Sequence, residues 1–292
     1  MREPITRGTH YDQDPTLLVE EIEAHYEGKN GPGALPLTKE TKHVIGIIAP
    51  NSPYRNCGDC MAWAYKELAE TPIPDVYVII GTNQQSQESG VSLNTFNTPL
   101  GFCRVDQELA NALVAKGNIG VNEGIHARDF VLEVQLPFLI HAKRWEQERI
   151  KILPLLINRD VDTARLAKDI IDTLAEKKRT AIFIVSSCFT HYGPLFHYVP
   201  FTIDVEKGIK ELDKGAIDRI IAADPEGFLA YRNEKLLNYH GATAIELLLR
   251  ILRGIGGSIG CLEQYYTSGD ILADYKNAVA YAAIVFEKNG AK

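Results

Sequence analysis

The sequence predicts an α/β fold of three layers, with helices on both faces of a central, mostly parallel or mixed sheet. Three observations point to it. Short apolar runs rich in β-branched residues recur along the chain, amphipathic segments alternate with them, and no break in composition marks a domain boundary. Strands buried on both faces read as unbroken apolar runs, and alternation with helices implies crossover connections. The whole chain, 1–292, is therefore expected to form a single domain.

Residues 14–27, DPTLLVEEIEAHYE, predict the first helix. Asp14 can cap it, Pro15 suits its first turn, and Leu17, Leu18, Ile22 and Tyr26 fall near one face. GKNGPGALPL follows as a loop rich in Gly and Pro. HVIGIIAP (43–50) predicts a buried strand, 59–70 a helix, and VYVIIG (76–81) a second strand. Helices are predicted over 105–117, ended by Gly117, and over 131–146, with Pro137 as a kink or early-turn residue. RIKILPLLI (149–157) and TAIFIVSS (180–187) predict strands on either side of an amphipathic helix at 160–178. Helices at 204–222, 225–234 and 241–253 follow, and IGCLEQYYTSGD and NAVAYAAIVFEK predict two closing strands. Trp63 and Trp145 fall on predicted helices and are expected in the core.

The formal charge of -7 argues against nucleic acid or anionic lipid as a partner. No window reaches the roughly 18 apolar residues of a membrane span, and the N-terminus lacks the apolar core of a signal peptide. A cytoplasmic location is expected, with the 5 cysteines, an odd count, mostly reduced.

In an open α/β sheet, ligands bind beyond the carboxyl ends of the strands. Three predicted strands run straight into polar clusters there. The first leads to Asn51-Ser52-Pro53-Tyr54-Arg55-Asn56-Cys57-Gly58-Asp59-Cys60, the second to Gly81-Thr82-Asn83-Gln84-Gln85-Ser86, and the fourth to Ser186-Ser187-Cys188-Phe189-Thr190-His191-Tyr192-Gly193. Turn and capping chemistry uses the same residue types. Agreement among three strands favours a binding crevice.

The same segments resemble the Memo family, whose fold is related to the class III extradiol dioxygenases. YDQDPTLLVEEIEAHY is similar to the family's N-terminal Asp-Pro helix, and IAPNSPY to its I-A-P-H-A-G-Y segment. GTNQ resembles G-P-N-H, LEVQLPFL matches a specific family run, and SSCFTHYG resembles S-S-D-F-x-H-Y-G. YYTSGD and VAYAAIVF complete the series, in order, to the far end of the chain.

Departures fall on the metal positions. Where the resemblance implies two histidines and a cysteine as ligands, this chain has Asn51, Gln84 and His240; the Asp of the fourth motif is Cys188, and a further His is Phe130. Only His126 and His191 stand at family histidine positions in these motifs. Two neutral carboxamides and one imidazole suit neither iron(II) nor zinc. No metal and no cofactor is therefore expected, and ring-cleaving dioxygenase activity is not.

Two functions follow as expectations. The first is a protein that binds a small molecule or peptide through Asn51, Gln84, His126 and His240. The resemblance implies an AMMECR-type or radical-SAM protein as partner, and nothing in the chain fixes an oligomeric state. The second is an enzyme of altered mechanism, with Cys188 as a nucleophile activated by His191, or with a metal site rebuilt from Cys188, His191 and His240. Bland roles compete at each position: Cys188 as a small apolar filler, His191 as a pocket wall, His126 as a brace, and His240 as a helix cap. Cys57 and Cys60 form a CxxC at a predicted helix start, where a redox role competes with buried filling. Tyr54, Arg55 and Arg128 are candidate anion contacts, against a solvated face.

Overall fold

The computed structural model describes residues 1–37 and 41–288. Helix α1 (Pro15–Glu27) starts where expected, the Asp14 carboxylate accepting from the Thr16 and Leu17 amides. After it come β1 (Val44–Ala49), α2 (Tyr54–Ala69) and β2 (Val76–Thr82), then the short strands β3 (Gly90–Val91), β4 (Phe96–Thr98) and β5 (Gly101–Val105). Helices α3 (Gln107–Val114), α4 (Glu123–His126) and α5 (Leu136–Ala142) lead to β6 (Lys151–Ile157), α6 (Thr163–Glu176), β7 (Ala181–Ser186) and β8 (His191–Tyr192). The last part holds α7 (Val205–Ile221), α8 (Pro225–Lys235), α9 (Ala242–Ile255), β9 (Ser258–Thr267), α10 (Ser268–Leu272) and β10 (Ala278–Lys288).

Among the described residues, ten strands share one sheet in the order β4-β5-β6-β2-β7-β1-β10-β8, with β3 beside β6 and β9 beside β10. Its centre, from β5 through β6, β2 and β7 to β1, is parallel. Strand β10 runs antiparallel to β1 and carries β9 on its length. The apolar runs of β1, β2, β6 and β7 are buried nearly end to end because helices cover both faces. In one outer layer α2 lies on β1 and β10 and is backed by α1 and α5; in the other, α9 lies on β2 and β7 and is backed by α6 and α8. The three-layer α/β/α class is as the sequence predicts.

Several boundaries differ, each for a local reason. Helix α2 begins at Tyr54 rather than at residue 59, after Pro53 sets the entry angle with φ -54°. The run 131–146 is not one helix. A 3-10 turn at Glu133–Gln135 precedes α5, because Pro137 has no N–H with which to close an α-turn onto Glu133. Trp145 then falls beyond the end of α5 and is 77% exposed, contrary to expectation, while Trp63 is partly buried. Strand β9 stops at Thr267, where Thr267 and Asp270 form a capping box that starts α10. Nothing apolar and continuous over 86–104 points to β3, β4 or β5, which add short edge pairings.

The run LEVQLPFL supplies the staples of this fold. Glu133, fully buried, pairs with the Arg2 guanidinium and accepts from the Ile5 and Thr6 amides, the Thr6 hydroxyl and the Tyr11 hydroxyl. Burial alone would raise its carboxyl, but Arg2 and these donors hold it below the usual range. Gln135, also fully buried, donates to the Pro50 carbonyl (2.8 Å) and the Ser186 hydroxyl (3.1 Å) and accepts from Tyr65 (2.9 Å). One side chain thus ties the ends of β1 and β7 to α2. No helix among the described residues is long and apolar enough to cross a membrane.

Candidate functional site

Strands β2 and β7 end beside the start of α9, and that junction depends on one glycine. A Cβ on Gly241 would come within 2.3 Å of the Ser187 Cβ and 2.7 Å of the Ser186 carbonyl. With hydrogen there instead, the Gly241 amide donates to the Ser187 hydroxyl at 3.1 Å, and the Ala244 amide to the Thr82 hydroxyl at 3.2 Å. These contacts seat the first turn of α9 against the strand ends and deliver His240 to the crevice.

There His240 stacks on His191, with ring centroids 3.7 Å apart and planes 24° from parallel. Phe196 packs its edge against the His191 ring, 5.1 Å between centroids. His191 Nδ1 lies 2.9 Å from the Phe189 carbonyl. A carbonyl only accepts, so Nδ1 carries the proton and Nε2 the lone pair. Burial, with His240 adding to it, pushes the His191 imidazole down to about 3. Burial and then the Arg159 charge also lower His240. Both rings are neutral at pH 7.

The backbone that carries them is clamped. Asn238 accepts from the His191 amide (3.1 Å) and donates to the His191 carbonyl (2.7 Å). Buried Asp213 on α7 accepts from Thr190 (2.5 Å), Tyr239 (2.6 Å) and Tyr265 (2.6 Å), so neighbours of both histidines hang from one carboxylate. Burial raises that carboxyl to about 6, against the pull of its three hydroxyl donors.

The stacked histidines line a cavity of about 220 Å³, together with Thr82, Thr243, Arg159 and Arg232. Arg159 follows the end of β6 and donates to the Gln84 side-chain oxygen at 3.3 Å. The Gln84 amide nitrogen donates to the Thr82 carbonyl (3.2 Å) and to the His240 carbonyl. Both ends of Gln84 are thereby engaged.

Of the residues predicted from sequence, Gln84, His191 and His240 are thus brought together. Asn51 and Cys188 form a separate buried contact, the Asn51 amide donating to the Cys188 sulfur at 3.4 Å. Burial pushes the Cys188 thiol up to about 12, countered only by that amide. The Cys188 sulfur thus meets the Asn51 amide, while the Nδ1 of His191 goes to Phe189 and its face to His240. His126 is 1% exposed and acts as a brace: its Nε2 meets the Gly90 carbonyl at 2.9 Å, its edge meets Phe96, and its own carbonyl accepts from Arg2. Cys57 and Cys60 are buried on α2, and burial raises both thiols well above their usual range. Tyr54 is buried with its hydroxyl on the Val134 carbonyl, and Arg55 reaches the Thr9 carbonyl. Among the described residues, no three His, Cys, Asp or Glu side chains are grouped as a metal site.

Arg159, Arg232 and Asp213 were not predicted. Arg159 carries the signal used elsewhere, a polar residue directly after an apolar strand. The other two look like ordinary polar helix positions.

The family model described as Memo-like protein matches residues 2–285. The chain belongs to the Memo-like protein family. A MEMO1 family protein of Methanopyrus kandleri is 33% identical, over 98% of this chain and 99% of its own length. Another, from Methanothermobacter thermautotrophicus, is 32% identical over 97% and 99%. Among solved structures, an uncharacterized protein from Escherichia coli K12 has the same fold, with a TM-score of 0.52 and 12% identity, covering 82% of this chain and 98% of that one. The Memo-like match runs through every segment that builds the cavity, from β2 to α9.

Proposed function

We propose that this Memo-like protein binds a small ligand in the crevice walled by His191 and His240, and that it does so without the metal chemistry of the dioxygenase-type site. The observation that carries this reading is the engagement of Gln84. Its oxygen, the only donor a carboxamide offers a metal, already accepts from the Arg159 guanidinium. A cation at that position would share the oxygen with a guanidinium and face its fixed positive charge. Asn51, Gln84 and His240 therefore do not fit iron(II) or zinc.

A binding role also agrees with the titration of the candidate catalytic groups. A base held at about 3 is too weak to take protons effectively near pH 7, and a thiol at about 12 supplies almost no thiolate. The same reading treats the chain as one functional domain in the cytoplasm, where its cysteines remain thiols.

Elemental analysis of untagged protein, made without added metal, tests the metal half. Far less than stoichiometric transition metal is expected. Stoichiometric metal lost in Cys188→Ala or His240→Ala would overturn it. For the binding half, a small-molecule fragment screen read by NMR of the His191 and His240 rings is expected to give saturable shifts; rings that respond to nothing would count against it.

A further inference from the structure

We infer that the cavity is an anion site, taking a carboxylate or phosphate group on a small carbon body. This rests on the crevice-binding reading and specifies its ligand. Two guanidiniums, Arg159 and the half-buried Arg232, line the cavity, and neither forms an ion pair among the described residues. Glu246, the acid whose charge acts on Arg232, is paired with Arg250 at 3.0 Å. No carboxylate lines the cavity among the described residues. Burial lowers Arg232 from its usual value, Glu246 pulls it back and Arg159 lowers it again, the last as expected of two like charges lining one space. An anion between them would turn that repulsion into attraction, and guanidinium forks match carboxylate and phosphate oxygens.

A second, independent feature borders the same space. The Thr243 hydroxyl is buried in the first turn of α9 and has no hydrogen-bond partner among the described residues. Buried hydroxyls are rarely left unpaired, and Thr243 is the one such residue among those lining this cavity, where a ligand atom can supply the partner. The start of this 14-residue helix borders the cavity, so the positive end of its dipole lies there, although the Ala242 and Ala244 amides already donate to the Tyr239 carbonyl and the Thr82 hydroxyl. The neutral rings of His191 and His240 add no charge of their own, and His191 Nε2 can accept from a protonated or hydroxylated group. At about 220 Å³ the space exceeds the roughly 150 Å³ that holds a benzene ring, leaving room for a ring plus its head group.

The test uses the full chain with benzoate, phenyl phosphate and the neutral benzyl alcohol at constant ionic strength. Binding is read by titration calorimetry and by NMR of the His240 ring. One or both anions are expected to bind saturably and shift His240, and the tighter of the two identifies the head group. Arg159→Gln and Arg232→Gln should each weaken it roughly tenfold, the loss of one charge-assisted contact. Arg149→Gln, which removes the same charge from an exposed position just before β6, at the opposite end of that strand from Arg159, should leave it unchanged. Benzyl alcohol binding as tightly as the anions, or equal weakening by Arg149→Gln, would overturn the anion inference and leave the crevice reading standing. If none of the three moves His240, both fall.

Discussion

His191 and His240 stack face to face at 3.7 Å, each imidazole replacing water on one side of the other. Such a pair disfavours a proton on either ring, because a charge on one is desolvated by its neighbour and repelled by a charge on the other. The His191 ring resonances are therefore expected to stay flat from pH 8 down to about pH 5 in NMR titrations. In His240→Ala, which opens one face to water, the His191 pKa should rise toward its usual value. A native His191 that titrates near pH 6.5 would show that the stack does not hold it neutral.

Acid stability should report His126. Its folded pKa, about 4, lies below the unfolded value of 6.5, chiefly because burial disfavours the charge. Stability from this residue is thus fully present above the unfolded pKa and is lost as pH falls from 6.5 toward 4. The loss reaches about 2 kcal/mol near pH 5. Asp213, raised to about 6, works the other way over pH 6 to 4. His126→Gln, which keeps an N–H for the Gly90 carbonyl, isolates the effect. Its urea midpoint should fall less steeply with acid than the native one.

Removing Arg2 should cost far more than removing a surface charge. Arg2→Met leaves the Glu133 carboxylate buried without its cation, a loss of about 3–5 kcal/mol by urea unfolding. Adding Glu133→Gln to that variant should recover part of the loss, since it removes the stranded charge and keeps an oxygen for Thr6 and Tyr11.

At Gly241 the expected defect is steric. Gly241→Ala forces a methyl against the Ser187 side chain and the Ser186 carbonyl, costing about 1–3 kcal/mol. Because the clash lies between β7 and α9, the stack should open as well. A larger separation of His191 and His240 in a crystal structure of the variant, with a lowered unfolding midpoint, checks both.

What could be read in the sequence followed from burial. The apolar runs of β1, β2, β6 and β7 are covered on both faces, so their pattern survives without any partner being known. The polar segments at the ends of β2 and β7 likewise supply Thr82 and His191 to the cavity, whereas none of the cluster after β1 lines it. Whether they converge was less legible, because contact depends on where α9 lands, and that is set by Gly241 against Ser187. Arg232 and Asp213 lie on helices whose sequences alternate charge and apolar residues like any surface helix. Asp213 is buried because Tyr239, Tyr265 and Thr190, brought from three distant segments, close over it. Cys188 and His191 stand three residues apart, yet the turn between them directs the thiol to Asn51 and the ring to His240.

The Arg2 and Glu133 pairing also carries a consequence for how the chain is made. The two residues are 131 positions apart, and Arg2 is synthesised first. At roughly 5–20 residues per second, the cation waits on the order of ten seconds before its carboxylate leaves the ribosome. Through that interval Arg2, Thr6 and Tyr11 have no Glu133 to gather around. The N-terminal arm can therefore lock only after the middle of the chain has emerged, which makes it a late clasp on nascent structure rather than the seed of it.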